Sequence, residues 1–355
     1  MTEHRREPTL GSRWEHFRHS PFFAAAVLVL LLAAGAGLFA GSYTAAMANP
    51  TPHRIPAAVV GEPDSEPKAQ AFTQGLEKAL NASLDLRRYD SYAAAEDAVE
   101  QQQVFAIMEV KPGGSVRFDL ASATGASVAR VLTATVPKVG KAVDVPVQVR
   151  DIKPMQSGDP QGLALFYISL AAVIIGFMGA IQLSVHARTL QPLERIAFTA
   201  AYALLGGFAI YAVVDLLLGV IELPFPQSWL ILALTMFTSG MVFTMFNTLF
   251  GRWAIIPTWV LMVLVGNPSS GGAVSWPLLP SPLGEIGRFL PPGASVNAQH
   301  TAVYFAGHQH VFPYVVLAAW AIVATAVFWI WRHRHPGGRE AGAPAHAAAS
   351  GAAAG

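Results

Sequence analysis

The chain has 355 residues, a net charge of +1 and no cysteine, which excludes disulfide bonds, thiolate metal sites and a cysteine nucleophile. Hydrophobic residues make up 53% of the chain and charged residues only 13%, about half the share that is typical of soluble domains. Of the 45 Asp, Glu, Lys and Arg residues, 26 lie between residues 51 and 160 and only eight lie between residues 163 and 330. This distribution predicts a polar domain joined to a membrane domain, and the near-neutral balance does not indicate nucleic-acid binding.

The first apolar run begins at Phe22 and ends at about Gly41, after a basic tail at residues 1–21. Its roughly 20 residues are enough to cross a hydrocarbon core of about 30 Å. The apolar core of a signal peptide is shorter, at about 7–15 residues. We therefore predict an uncleaved transmembrane helix at residues 22–42, with cleavage in the alanine-rich stretch 45–48 as the alternative.

Residues 43–162 alternate between strand and helix patterns, which predicts a small α/β domain with a parallel or mixed sheet. The predicted strands are Ile55–Val60, Leu84–Tyr89, Val104–Val110, Ser115–Ala121 and Val145–Val149. The predicted helices are Pro67–Ser83, Tyr92–Gln103 and Ser127–Val143.

Five more apolar runs follow residue 162 and form a predicted membrane domain at residues 163–332. They are Leu163–Val185, Ile196–Ile221, Trp229–Leu249, Trp253–Val265 and Pro313–Trp331. We therefore predict an α-helical membrane protein with six transmembrane helices in a 1 + 5 order and an extracytoplasmic α/β domain inserted after the first helix. The fifth of these six helices is short and contains Pro257. Either the helix also includes residues of the preceding turn, or it leads into a re-entrant segment.

Segment 266–300, which follows this short run, is rich in Gly and Pro yet contains apolar stretches at 274–279 and 283–290. A solvated loop has no need of large apolar side chains such as Trp276, Leu279 and Phe289. We therefore predict a structured cap or a re-entrant hairpin at the outer face of the membrane domain.

The Lys and Arg residues near the ends of the apolar runs predict the orientation of the chain. With the N-terminus inside, the cytoplasmic segments hold ten of these residues and the short outer loops hold one, Arg288. Both termini are then cytoplasmic and the α/β domain lies outside, as in a multi-pass protein of the plasma membrane. Residues 333–355 are low in complexity and are predicted to form a disordered cytoplasmic tail.

No P-loop, nucleophile-elbow or HExxH motif occurs, so we predict no catalytic residue, no cofactor, no metal site and no enzymatic activity. Asp215 lies inside the third apolar run, where a charge costs about 2.5–3.5 kcal/mol at a helix centre, and it is a candidate substrate or proton site. The alternative is an acid near the outer surface that is solvated or hydrogen-bonded to a neighbouring helix. Asn247, near the end of the fourth run, is either a pathway residue or an interhelical hydrogen-bonding group.

Several stretches together carry a resemblance to a known family. They are Gly266–Gly272 (GNPSSGG), Leu279-Pro280 and Leu290–Gly293 (LPPG) after the fifth run, and Ile55–Val60 and Ala121–Val128 in the polar domain. With this order of parts, the chain resembles the type-2 ABC exporter permeases, and among them the phage-infection-protein-like and nitrosoguanidine-resistance-like branch. The resemblance covers nearly the whole chain except the two tails.

The resemblance implies a permease subunit without a nucleotide site, which lies in membrane lipid, forms a homodimer and exports an amphipathic or lipid-like compound with a separate ATPase. It implies that the ATPase docks near residues 14–20 and 186–195, where Arg188 and Arg195 are the candidate contacts. The candidate substrate-pathway residues are Asp215, Asn247, Asn267, Pro268, Ser269, Ser270, Gly271 and Gly272. Two alternatives stay open: a non-transporting receptor or scaffold, and an exporter driven by an ion gradient through Asp215.

Overall fold

The computed structural model describes residues 18–48, 50–62, 66–81 and 84–335. Over these residues the protein is mostly helical with one small mixed sheet, and five helices are long and apolar enough to cross a membrane. Residues 1–17 and 336–355, which make up most of the predicted tails, lie outside the described residues, as do residues 14–17 of the predicted ATPase-docking surface.

Helix α1 (Pro21–Met47) ends five residues beyond the predicted span. No residue of its apolar window is buried, as expected of a helix that is hydrophobic on all sides and faces lipid or another chain. Its C-terminal part contacts the rest of the protein, because Ser42 Oγ donates a hydrogen bond to the Leu264 carbonyl (2.9 Å) and Ala46 is buried. The alanine-rich stretch 45–48 is therefore held against the folded protein.

The α/β domain follows α1. Its strands are β1 (Ile55–Val60), β2 (Leu84–Tyr89), β3 (Ala106–Val110), β4 (Val116–Leu120) and β5 (Val147–Asp151). Its helices are α2 (Pro67–Leu80), α3 (Tyr92–Glu100) and α4 (Ala126–Ala142). The sheet has the order β2-β1-β3-β4-β5, in which β3 and β4 are antiparallel and all other neighbours are parallel. The predicted mixed sheet is confirmed, and β1 and β2 have the predicted bounds.

Different helices cover the two faces of this sheet. On one face Phe118 of β4 packs with Phe72 of α2 and Leu132 of α4. On the other face Ile107 of β3 packs with Val99 of α3. Because side chains alternate along a strand, β1 and β3 supply apolar groups to both layers, which explains why these two strands read as nearly continuous apolar runs.

Asp119 of β4 is fully buried and anchors a polar network on the α3 face of the sheet. It accepts a hydrogen bond from the Tyr92 hydroxyl (2.6 Å) and forms ion pairs with Arg117 (2.7 Å) and Arg150 (3.3 Å). Burial and the Asp119 carboxylate raise the pKa of Tyr92 to about 12, so the Tyr92 hydroxyl stays protonated and donates a hydrogen bond to Asp119. The network joins α3, β4 and β5, and sequence reasoning did not identify it.

Helices α5 (Ala164–His186), α6 (Pro192–Tyr211) and α7 (Gln227–Phe250) begin the helical bundle, and α6 continues into a π-helical turn at Ala212–Leu217. Helix α7 is the most buried of the candidate spans. Glycines allow its neighbours to approach closely: a Cβ on Gly176 of α5 would lie 2.6 Å from the Met236 carbonyl oxygen, and one on Gly207 of α6 would lie 2.7 Å from the Ala233 nitrogen. Small residues commonly serve this purpose in membrane helix packing.

The fifth predicted transmembrane run is not a full span. Helix α8 (Ile255–Trp259) has five residues and continues into a π-helical turn of six residues at Val260–Val265, which together extend about 16 Å. The prediction of six transmembrane helices is therefore not confirmed, since the described residues contain five long apolar helices and this shorter one. The irregular backbone that follows is buried, with Asn267 only 2% exposed, as irregular backbone at membrane depth requires.

The segment predicted as a cap or re-entrant hairpin is a helical hairpin that enters the bundle. Its parts are α9 (Ser281–Ile286), a 3-10 turn (Gly287–Phe289) and α10 (Pro291–Tyr304), and helix α11 (Phe312–Arg334) follows. The Trp320 indole of α11 donates to the Phe289 carbonyl (2.9 Å), and Thr235 of α7 donates to Ser295 (2.8 Å). Trp320 and Thr235 each lie eight residues after the first residue of their helices, so the hairpin contacts these helices about 12 Å from their ends.

The start of this segment belongs to the core of the α/β domain. Val274, Leu278 and Leu279 pack in the same apolar cluster as Phe118, together with Ala46 of α1. This explains the apolar residues in a Gly- and Pro-rich segment, because they join the domain to the bundle through one continuous core.

The two ends of the bundle differ in charge. The α/β domain contacts one end, where Gln102 donates to Thr301 (3.1 Å) and Gln156 donates to the Glu222 carbonyl (3.1 Å). The opposite end carries five arginines: Arg188, Arg195, Arg252, Arg332 and Arg334. The domain and the arginine-rich end thus lie at opposite ends of the helices.

Candidate functional site

A cavity of about 780 Å³ lies between the α/β domain and the helical bundle, and we call it the domain cavity. Several parts of the chain form its walls, among them the irregular turn after α8, the start of α4, and α10 with the start of α11. Residues from these parts that line it include Thr124, Gly125, Ser127, Ser269, Ser270, Gly271, Gly272, Ala273, Val296, Asn297, His300 and Phe312. The volume is in the range of pockets that bind small molecules.

A pair of buried serines joins two of these walls. Ser127 Oγ donates to Ser275 Oγ (2.8 Å) and accepts a hydrogen bond from the Ser275 backbone N–H (2.8 Å). Gly125, two residues before Ser127, allows the two segments to come this close, because a Cβ at Gly125 would lie 2.5 Å from the Phe105 ring and 2.7 Å from Ser275 Oγ. The start of α4 is thereby fixed to the turn that leads into the hairpin.

The lining of the domain cavity is chemically mixed. Phe105 and Trp276, whose ring centroids are 6.0 Å apart, supply aromatic surface. Asn297 and Gln102 supply amide groups, and Glu285 and Arg288 of the hairpin place exposed charges of opposite sign at the lining. A site with apolar walls and a few polar groups suits an amphipathic small molecule.

The turn predicted from the sequence to line a substrate pathway reaches the domain cavity. Ser269, Ser270, Gly271 and Gly272 line it, whereas Asn267 and Pro268 are buried behind the lining. Ser269 Oγ donates to the Val265 carbonyl (2.7 Å), and Gly271 has a φ of +82°, which favours glycine. The Asn267 Nδ2 group is buried close to the Tyr43 side chain, but it makes no hydrogen bond of normal geometry among the described residues.

His300 is a titratable group of the domain cavity that sequence reasoning did not connect with this turn. It is half-buried on α10, and its ring stacks near Tyr304 and Phe305. Burial lowers the pKa of His300 to about 4; a hydrogen bond with the Ala123 backbone opposes this change and the neighbouring His310 adds to it. His300 is therefore neutral at physiological pH.

Because the pKa of His300 is low in the folded protein, we expect the stability of the fold to depend on pH. Between about pH 6.5 and pH 4 the unfolded chain binds a proton at this histidine and the folded chain does not, so stability falls as the pH falls through this window. We expect His300→Gln to reduce the loss of melting temperature on acidification from pH 7 to pH 5. Thermal melts of both proteins in detergent at several pH values measure this, and an unchanged pH dependence would contradict it.

Asp215 does not reach the domain cavity. It lies half-buried on the π-helical turn after α6 and accepts a hydrogen bond from the Leu223 backbone N–H (3.0 Å). The hydrogen bond joins Asp215 to the loop that follows its own helix and not to a neighbouring helix.

Asn247, Arg188 and Arg195 meet at a second cavity, of about 340 Å³, at the end of the bundle opposite the α/β domain. We call it the arginine cavity. It is lined by Ser184, Arg188, Arg195, Thr244, Asn247, Thr248, Phe328, Trp331, Arg332 and His335. The predicted site residues thus divide into a group at the domain cavity, a group at the arginine cavity, and Asp215 apart from both.

No protein-family model, no curated protein and no solved structure matches this chain. Among the described residues, no three His, Cys, Asp or Glu side chains are grouped so that they could hold a metal ion.

Proposed function

We propose that the chain is the membrane-spanning permease subunit of an exporter of the type-2 ABC kind, which moves an amphipathic or lipid-like compound with a separate ATPase. The domain cavity carries this proposal. It has the size and the mixed lining of a small-molecule site, and it lies where the helical bundle meets the α/β domain. The Ser269–Gly272 turn borders it, between the short helix α8 and the hairpin.

The proposed mechanism is alternating access in a homodimer. The sequence has no P-loop, so the energy comes from a separate ATPase that acts on the arginine-rich end of the bundle. Closure of the ATPase rocks the helices against each other and changes the access to the domain cavity at the other end. Helix α1, whose apolar window is exposed in the single chain, supplies surface for lipid or for the second protomer.

Two features support an orientation with the arginine-rich end in the cytoplasm of a plasma-membrane protein. The arginines lie at the end opposite the α/β domain, and Lys and Arg are enriched on the cytoplasmic side of membrane proteins. The short loops at the domain end, between α6 and α7 and between α8 and α11, contain a single Lys or Arg, Arg288. The α/β domain is then extracytoplasmic.

The absence of native cysteine allows a direct test of this orientation. Ser157, beside the α/β domain, and Thr189, between α5 and α6, are both exposed. We expect a membrane-impermeant maleimide to label Ser157→Cys in intact cells and Thr189→Cys only after permeabilisation. The wild-type chain is the unlabelled control, and the reverse labelling pattern would contradict the orientation.

The function is tested by export in the native host. A strain that lacks the chain is compared with the same strain after re-expression, for growth in a panel of amphipathic inhibitors and for retention of those compounds in the cells. The proposal predicts that re-expression lowers retention of at least one compound and that loss of the membrane potential leaves this export in place. Equal retention for the whole panel, with the chain present in the membrane, would favour the receptor or scaffold alternative.

A further inference from the structure

The arginine cavity has a strongly cationic lining. Three guanidinium groups, from Arg188, Arg195 and Arg332, and the imidazole of His335 line it, and the described lining contains no Asp or Glu. They come from the ends of three different helices, so the fold brings together cations that are far apart in the sequence.

Arg195 is the most buried of these cations. It is 9% exposed, and one of its terminal nitrogens donates to the Ala187 carbonyl (3.1 Å). The charge of Arg332 is close enough to act on it, and the ion pairs of the described part of the chain include neither arginine. A buried guanidinium beside a second, half-buried guanidinium is costly unless an anion accompanies them.

The surroundings of the arginine cavity indicate which anion fits. The cavity lies at the ends of four apolar helices of membrane-spanning length, and lipid headgroups meet water at the ends of helices that cross a bilayer. Trp329 and Trp331 of α11 are partly exposed beside it, as interfacial tryptophans commonly are. Because Arg195 is only 9% exposed, a phosphate on a flexible molecule reaches it more easily than a flat protein surface does.

We propose that the arginine cavity binds a phosphate group, with Arg195 as its buried anchor and Arg188 and Arg332 as its flanking contacts. Basic pockets between membrane helices on the cytoplasmic side recognise phosphate-bearing headgroups in this way. The phosphate is either the headgroup of an anionic phospholipid in the adjacent leaflet or a phosphate ion in solution. Both bind through the same contacts with the arginines. This site is independent of the proposed export function and requires only that the helices lie in a membrane.

The test uses the full-length chain, purified in detergent and depleted of lipid. Its melting temperature is titrated with phosphatidylglycerol, with phosphatidylcholine of the same acyl chains, and with inorganic phosphate. Arg332→Gln and Arg188→Gln are the main variants, because neither residue is fully buried, and Arg195→Gln is added if it folds. Arg334→Gln is the matched control, since Arg334 lies two residues from Arg332 on the same helix, is exposed and does not line the cavity.

We expect saturable stabilisation by phosphatidylglycerol that exceeds the effect of phosphatidylcholine, and Arg332→Gln to weaken it about tenfold or more while Arg334→Gln does not. Equal saturable stabilisation by inorganic phosphate, with the same variant pattern, would support the site and assign its ligand to free phosphate. Equal effects of both lipids, or equal losses in Arg332→Gln and Arg334→Gln, would overturn the proposal. A polyglutamate peptide is titrated as a fourth ligand. Stabilisation by this peptide and by none of the other ligands would overturn the proposal in favour of a protein partner.

Discussion

Gly287→Ala is expected to lower the melting temperature of the purified chain by about 5–10 °C, which corresponds to about 2–3 kcal/mol of overpacking. Gly287 has φ of −55° and ψ of −38°, a helical conformation in which alanine is normally better than glycine by about 0.5–1 kcal/mol. Here a Cβ would overlap the Ser269 carbonyl oxygen of the buried turn. The hairpin tip would have to leave the turn, and the domain cavity would lose a wall.

Gly307→Ala is the matched control for this effect. Gly307 lies in the loop between α10 and α11, and no atom lies within 4 Å of a Cβ built there. We expect its melting temperature to stay close to that of the wild type, measured by thermal melts and by the monodisperse fraction in detergent. If Gly287→Ala is as stable as Gly307→Ala, the close contact between the hairpin tip and the turn is wrong.

Asn297→Trp is expected to abolish export of the compound that the re-expression experiment identifies. Asn297 lines the domain cavity from α10 and is exposed there, so an indole at this position occupies cavity space without displacing a packed core residue. Loss of export with normal amounts of folded protein in the membrane would show that the cavity lies on the substrate path. Retention of the compound in the cells is the measurement.

Asn297→Ala separates the filling of the cavity from the loss of a hydrogen bond. The native side chain donates to the Gly293 carbonyl (2.7 Å), and both substitutions remove this bond. We expect Asn297→Ala to retain most of the export and Asn297→Trp to retain none. Equal export by the two variants would exclude the domain cavity from the path.

The α/β domain was predictable because its signals are local. Ile55–Val60 and Leu84–Tyr89 are short strand-like stretches bounded by turn residues, and both form strands with the predicted bounds. The end of α1 was not predictable in this way. Hydropathy falls at Ser42, Tyr43 and Thr44, yet the helix continues to Met47 because its last turn packs in the domain core.

The fifth apolar run shows that mean hydropathy does not predict where a helix ends. A window average counts the apolar residues of Ile255–Val265, but the length of a helix also depends on where the backbone leaves it, here at a buried turn. The Gly and Pro content of segment 266–300 indicated that the backbone leaves the helix there, and it predicted a re-entrant or cap structure.

One part of the candidate site could be predicted from the sequence, and the other part could not. Ser269–Gly272 is a contiguous motif and could be selected from the sequence, whereas Thr124–Ser127 and His300 face it only because the domain docks on the bundle. Asp119 was missed for the same reason, since its partner Arg150 lies on β5, 31 positions further along the chain. Such contacts depend on tertiary packing and leave no local pattern.

The central claim, a permease that works with a separate ATPase, is tested most directly by purifying the tagged full-length chain from native membranes in mild detergent and identifying co-purifying subunits by mass spectrometry. The account predicts a stoichiometric P-loop ATPase that is lost in Arg188→Glu, at the arginine-rich end, and retained in Arg288→Glu, at the domain end. A folded, monodisperse chain recovered without any nucleotide-binding subunit would contradict it.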